Sequence, residues 1–72
     1  MAWETFNNFT SSNIVSLRYD STTSTLEVSF HNGGLYHYYD VPPQIWEALK
    51  VASSQGQYLA AHIKGHYRYS KV

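Results

Sequence analysis

The sequence predicts one α+β domain, a three-stranded antiparallel β-meander packed by one helix, with a second short helix and a basic C-terminal tail or edge strand. Its 72 residues, of which 43% are hydrophobic, are enough to fill one core only. Residues 14–41 alternate apolar and polar side chains between turn-forming residues, as the strands of a meander do. Two prolines then precede apolar residues at helical spacing.

The chain divides into an N-terminal lead-in, residues 1–10, and a domain, residues 11–72. Trp3, Phe6 and Phe9 lie three residues apart in the lead-in. This spacing suits either a helical turn packed on the core or a loosely ordered segment. We expect the lead-in to be partly ordered.

Three segments of the domain alternate as half-buried strands do: residues 14–20, 26–30 and 35–41. In the first strand, Val15, Leu17 and Tyr19 share the face that we expect to be buried. Polar residues 20–24 form the first turn. Residues 32–34, Asn-Gly-Gly, supply the second turn, because they tolerate a positive φ.

A helix is expected after the sheet, since Pro42 and Pro43 end the last strand and suit the first turn of a helix. The helix should end near Ser53. Its apolar stripe should lie across the sheet while its polar residues face water; the stripe holds Ile45, Leu49 and Ala52 with Trp46 beside it, and the polar residues are Gln44, Glu47 and Lys50. Ser54 can cap a second short helix, which Gly65 would end.

Two registers are open to the hairpin after Phe30. A two-residue turn would expose Tyr36 and Tyr38 as a platform on which bases can stack. A three-residue loop with Gly33 left-handed would pair Phe30 with Gly34 and pack both tyrosines beneath the helix. We favour the second register, because tyrosines on a sheet more often pack in a core.

Several function classes are excluded by what the chain lacks. It has no cysteine, which rules out disulfides, thiolate metal sites and cysteine nucleophiles. It has no recognisable nucleophile–base set and no glycine-rich phosphate motif, so we expect no enzyme activity and no cofactor. The four histidines come without a recognisable ligand set, so we expect no metal. We expect a soluble, unprocessed cytoplasmic chain without membrane contact, since it has neither a long apolar run nor the layout of a signal peptide.

Charge is polarised along the chain. Residues 1–47 hold all five acidic residues and one cation, whereas residues 48–72 hold four cations and no acid. The end of the chain mixes cations with aromatic residues, as proteins that follow a phosphate backbone and stack bases do. The candidate nucleic-acid-binding residues are Lys64, His66, Tyr67, Arg68, Tyr69 and Lys71. The alternative is a solvated edge whose tyrosines hold the tail on the domain.

Several short motifs resemble the KTSC domain family, which is named for the C-terminal extension of some lysyl-tRNA synthetases and also occurs as stand-alone bacterial proteins. The motifs are Leu26-Glu27-Val28-Ser29-Phe30, Asn32-Gly33, Tyr36-His37-Tyr38, Val41-Pro42-Pro43, Ser54-Gln55-Gly56-Gln57-Tyr58 and His62-Ile63-Lys64-Gly65. The resemblance covers roughly residues 11–70. It implies a domain of unknown role, for which attachment to a synthetase suggests RNA binding. The tyrosine motif of the family falls on Tyr36 and Tyr38, as packing or stacking residues.

These observations predict a small non-catalytic binding module. The first hypothesis is weak RNA binding through the basic and aromatic C-terminal strip. The second is a protein-interaction or self-associating domain that uses an exposed aromatic patch or the edge strand, its partner being another protein or a second copy of the chain.

Overall fold

A five-stranded antiparallel sheet forms the framework of the protein in a computed structural model, which describes residues 3–7 and 13–72. The strands lie side by side in chain order: β1 (Trp3–Phe6), β2 (Ile14–Asp20), β3 (Thr25–Phe30), β4 (Leu35–Tyr38) and β5 (Tyr69–Lys71). Between β4 and β5 the chain forms α1 (Pro43–Val51), α2 (Gln55–Tyr58) and a π-helical segment (Leu59–Ile63). The predicted α+β class is therefore confirmed, whereas the prediction of only three strands is wrong.

The two additional strands lie at the edges of the sheet. β1 pairs with β2, from Trp3 opposite Asp20 to Phe6 opposite Leu17. Because residues three apart in a strand point to opposite faces, the spacing of Trp3 and Phe6 does not mark a helical turn here. β5 pairs with β4, so the C-terminal segment is an edge strand and not a free tail. Phe9 lies outside the described residues, and the boundary after residue 10 stays a prediction.

A β-bulge changes which residues of the first domain strand are buried, so the prediction that Val15 is buried is wrong. The pairing of β2 with β3 shifts between Ile14 and Ser16. The shift places Ile14 in the core at 1% exposure and leaves Val15 at 47%. An extra residue in one strand reverses the alternation at that point. Val15 therefore faces solvent, although the period-two pattern placed it with Leu17 and Tyr19.

The hairpin between β3 and β4 adopts the three-residue loop. Gly33 has φ 91°, and the Phe30 N–H donates to the Gly34 carbonyl oxygen at 2.8 Å. Tyr36 and Tyr38 consequently lie opposite Val28 and Leu26 of the core face. The favoured register is confirmed, with Tyr38 buried and Tyr36 half-buried.

The helices cover one face of the sheet. The predicted start at the two prolines is confirmed, although α1 ends at Val51, before Ser53. Trp46 and Leu49 of α1 are buried, and Trp46 stacks on Tyr19 of β2 with ring centroids 5.5 Å apart. Ser54 caps α2 by accepting the Gln57 N–H at 3.3 Å, as predicted. No helix in residues 3–7 and 13–72 is long and apolar enough to cross a membrane.

Glu4 ties the first strand to the first helix. Its carboxylate accepts a hydrogen bond from the Trp46 indole N–H at 3.0 Å and one from the Lys50 ammonium at 2.6 Å. The Lys50 side chain is only 18% exposed, so the prediction that it faces water is wrong. The hydrogen bond from Lys50, followed by that from Trp46, lowers the pKa of Glu4.

Candidate functional site

A pocket with aromatic walls opens on the helix-bearing face of the sheet, beside β5. Residues from three separate parts of the chain line it: Phe30, Asn32, Tyr36, Tyr38, Lys64, Gly65 and Tyr69. We call it the aromatic pocket. Its volume is about 440 Å³, which is in the range of pockets that bind small ligands.

The aromatic rings form a connected set. The Tyr36 ring meets Phe30 edge-on at a centroid distance of 5.7 Å and Tyr69 at 5.9 Å. Tyr69 also contacts the Tyr38 ring at 5.7 Å. Tyr38 is buried, whereas Tyr69 is 61% exposed. The pocket therefore has a fixed inner wall and an outer ring that solvent and ligands can reach.

Tyr38 is a donor that stays protonated. Burial raises the pKa of its phenol, and the neighbouring phenols of Tyr36 and Tyr69 raise that pKa further. Raising the pKa of a phenol favours its neutral O–H form. At neutral pH this wall of the pocket therefore carries no negative charge.

Two cations flank the rings. The Lys64 ammonium lies 5.1 Å from the centre of the Phe30 ring, within the range of a cation–π contact. Lys71 is the sheet partner of Tyr36, and paired residues in antiparallel strands project from the same face. Neither lysine has a carboxylate partner among the ion pairs of the described residues.

Arg68 is placed differently. Its guanidinium pairs with Asp40 at 2.9 Å and lies 5.7 Å from the centre of the Tyr39 ring. Tyr39 contacts His37, which lies on the opposite face of the sheet from Tyr36 and Tyr38. Arg68 is therefore not among the residues that line the aromatic pocket, and its guanidinium pairs with Asp40.

Five of the six candidate binding residues line two depressions, which adjoin at Gly65 and Tyr69. Lys64 and Tyr69 line the aromatic pocket, and Lys71 projects on the same face. His66, Tyr67 and Arg68 line a second depression with Tyr69 and Tyr39. Tyr69 and Lys71 of β5 share the face of the aromatic pocket, because alternate residues of a strand point to the same side. His66, Tyr67 and Arg68 precede β5 and line the second depression.

A polar row crosses the other face of the sheet. Glu27 accepts two hydrogen bonds from the Arg18 guanidinium, at 2.7 and 2.9 Å, and lies 2.9 Å from the His37 imidazole. The guanidinium carbon of Arg18 lies 4.5 Å from the centre of the Trp3 ring. Hydrogen bonding from Arg18 lowers the pKa of Glu27. Because these partners occupy both carboxylate oxygens, we interpret the row as structural.

No group of three His, Asp or Glu side chains within the described ranges is close enough to hold a metal ion. His62 instead packs on the Tyr58 ring, with centroids 4.5 Å apart. His31 lines a surface hollow that adjoins the aromatic pocket, and His37 contacts Glu27. The histidines thus serve unrelated local contacts.

Three pocket residues, Phe30, Asn32 and Gly65, were not predicted as site residues. Phe30 precedes the hairpin loop and Asn32 lies within it, and the register of this loop places Tyr36 at the pocket. The hairpin register could have predicted that Phe30 and Asn32 lie near Tyr36, since residues at a hairpin turn share the end of the sheet with the paired strand.

The fold and the pocket define a small α+β domain with an aromatic, cation-flanked concavity on a helix-backed antiparallel sheet. A family model of the KTSC domain matches residues 10–67, and the chain belongs to the KTSC domain family. The crystal structure of a KTSC domain protein from Yersinia pestis superposes with a TM-score of 0.90 at 31% identity, over 99% of each chain. The KTSC resemblance is thereby confirmed.

The relatives occur in two settings. A segment of a lysine–tRNA ligase from Trichormus variabilis is 44% identical over 55 residues, which are 76% of this chain and 10% of the ligase. An uncharacterized protein from Stutzerimonas stutzeri is 43% identical over 63 residues, which are 86% of this chain and 89% of that protein. The chain thus spans about a tenth of the ligase and most of the stand-alone relative. The KTSC family is not known as a catalytic domain.

Proposed function

We propose that this domain binds single-stranded RNA weakly, by stacking an unpaired base in the aromatic pocket while Lys64 and Lys71 contact phosphates. The observation that carries the proposal is the pairing of a connected set of aromatic rings with two lysines that lack carboxylate partners among the described residues. Proteins that bind single strands combine these two features.

The geometry suits an unstacked base. A volume of about 440 Å³ leaves room for a base beside the ring of Tyr69, which is the exposed member of the set. Stacking on one aromatic side chain contributes about 1–3 kcal/mol per base. Two phosphate contacts add little at physiological salt. The expected affinity is micromolar or weaker.

The relatives support the same class of ligand. The Trichormus variabilis relative is by name a lysine–tRNA ligase, so a domain similar to this one is part of a protein that acts on tRNA. The stand-alone relative shows that the domain also occurs outside the ligases. A weak RNA contact suits both settings.

Replacing Tyr69 separates stacking from other contributions. Tyr69→Ala removes the exposed ring and should weaken binding of a fluorescein-labelled single-stranded RNA about tenfold or more, by the loss of stacking. Tyr69→Phe keeps the ring and should bind nearly as tightly as the parent. Fluorescence anisotropy at low salt measures both variants. Absence of RNA binding by the parent protein at low salt would refute the proposal.

The free edge of β5 supports a second candidate, pairing with another protein chain. Arg68 and Val72 direct backbone groups to β4, and alternate residues of an edge strand direct theirs outward. The backbone groups of Tyr69 and Lys71 therefore face away from the sheet. Strand pairing would give a dimer or a captured peptide with little salt dependence. Light scattering that shows a strict monomer at millimolar concentration would remove self-association.

A further inference from the structure

We propose that the aromatic pocket prefers guanine over adenine and cytosine, an inference that rests on the proposed RNA binding. The preference comes from the polar groups between the rings. Among the described lining residues these are the Asn32 amide, the Lys64 ammonium and three phenols. The phenols can donate or accept and so favour no base. Selectivity therefore depends on Asn32 and Lys64.

The hairpin loop fixes the orientation of the Asn32 amide. The Gly34 N–H donates to Asn32 Oδ1 at 3.0 Å. Because a backbone N–H can only donate, the amide oxygen faces the loop and the NH₂ group faces away from it. The asparagine thus offers donors to a ligand, while one side of its oxygen is occupied.

Close packing at Gly34 keeps this amide at the pocket wall. A Cβ built on Gly34 would lie 2.9 Å from Tyr36 Cε1 and 3.2 Å from Asn32 Oδ1. These two side chains therefore converge on the same glycine. A base that packs against Tyr36 comes within reach of the Asn32 amide.

Lys64 provides the second donor. It lines the aromatic pocket and the adjoining hollow together with Asn32 and Phe30. An ammonium has three donors and no acceptor, so Lys64 can donate to the edge of the base and to a phosphate of the same strand at once. Asn32 and Lys64 therefore present donors from neighbouring positions, with no carboxylate among the described lining residues.

The base edges distinguish guanine from adenine at such a site. Guanine offers two adjacent acceptors, O6 and N7, on the edge that lysine commonly contacts. Asparagine normally reads adenine by donating to N7 and accepting from N6–H₂. Here the Asn32 oxygen points to the loop, where one of its lone pairs accepts the Gly34 N–H. A base on the NH₂ side therefore meets donors, and adenine N6–H₂ has no acceptor facing it. Cytosine presents an N4–H₂ donor in the corresponding position, which a pair of donors also disfavours.

Short oligonucleotides test the preference. Labelled uridine hexamers, each with one central position changed to guanosine, adenosine or cytidine or left as uridine, are titrated with the parent protein by fluorescence anisotropy. We expect the guanosine hexamer to bind at least about fivefold more tightly than the adenosine hexamer, the low end of discrimination by a bidentate contact.

Asn32→Asp is the matched variant. An aspartate keeps an oxygen for the Gly34 N–H, and with it the turn, but replaces the NH₂ donors by an acceptor. The preference for guanosine over adenosine should disappear. Asn32→Ser, which also keeps an acceptor for the turn, should give the same result without adding charge. Lys71→Ala is the control, because loss of a phosphate contact weakens all four hexamers alike.

The outcomes separate this inference from the proposed function. Equal binding of the four hexamers by the parent protein overturns the guanine preference and leaves RNA binding standing. A preference that persists in both Asn32 variants also overturns it. Failure of every hexamer to bind at low salt overturns the RNA proposal itself, and the preference with it.

Discussion

The salt dependence of RNA binding tests how the structure distributes the cations. Lys64 and Lys71 flank the aromatic pocket, whereas Arg68 is paired with Asp40 near the opposite face. Two phosphate contacts on a single strand give a slope of log K against log salt of about −1.4, while four contacts give about −2.8. Affinity should accordingly fall about sevenfold between 50 and 200 mM salt.

Single substitutions show which cations contribute to the slope of log K against log salt. Lys64→Ala and Lys71→Ala should each reduce its magnitude by about 0.7, the value of one phosphate contact. Arg68→Ala is the matched control, since it removes a cation that Asp40 already pairs, and it should leave the slope unchanged. Anisotropy titrations at four salt concentrations measure all three variants. A parent slope near −2.8, or a loss in Arg68→Ala equal to that in Lys64→Ala, would refute the assignment.

Two further predictions concern stability. Glu27→Ala should lower the unfolding free energy by about 2 kcal/mol at pH 7, because it leaves the Arg18 and His37 side chains without their acceptor. Because the pKa of Glu27 is lowered in the folded state, its stabilising contribution is present above about pH 4.5 and is lost as the pH falls through the folded pKa. Urea unfolding from pH 7 to pH 3 should therefore show that the unfolding free energy falls less in the variant than in the parent protein. An equal fall in both proteins would contradict this. Ile14→Ala should cost about 2–4 kcal/mol and Val15→Ala less than about 0.5 kcal/mol, and the opposite order in urea melts would contradict the bulge.

The central strands and the helix starts were readable from local pattern. Leu26, Val28 and Phe30 alternate with polar residues, and Pro43 begins α1 where a missing N–H loses no hydrogen bond. The loop at Gly33 was also predictable, since a φ of 91° suits glycine. These features depend on interactions within a few residues of chain.

The edges of the sheet were not readable in the same way. β1 and β5 contain four and three residues, too few for a period to stand out from chance. Each exists because a neighbouring strand offers backbone partners. The bulge at Ile14 likewise depends on the pairing of β2 with β3, so the exposure of Val15 could not be predicted from alternation.

The candidate site, too, was predictable from the sequence only in part. Its ingredients, tyrosines and lysines near the end of the chain, are visible in the amino-acid order. Their grouping in space is not visible in that order. Arg68 pairs with an acid 28 residues earlier, and the helical crossover brings Lys64 to the ring of Phe30. Periodicity and turn chemistry act between near neighbours in the chain, whereas strand pairing and ion pairing join residues that only folding brings within a few ångströms.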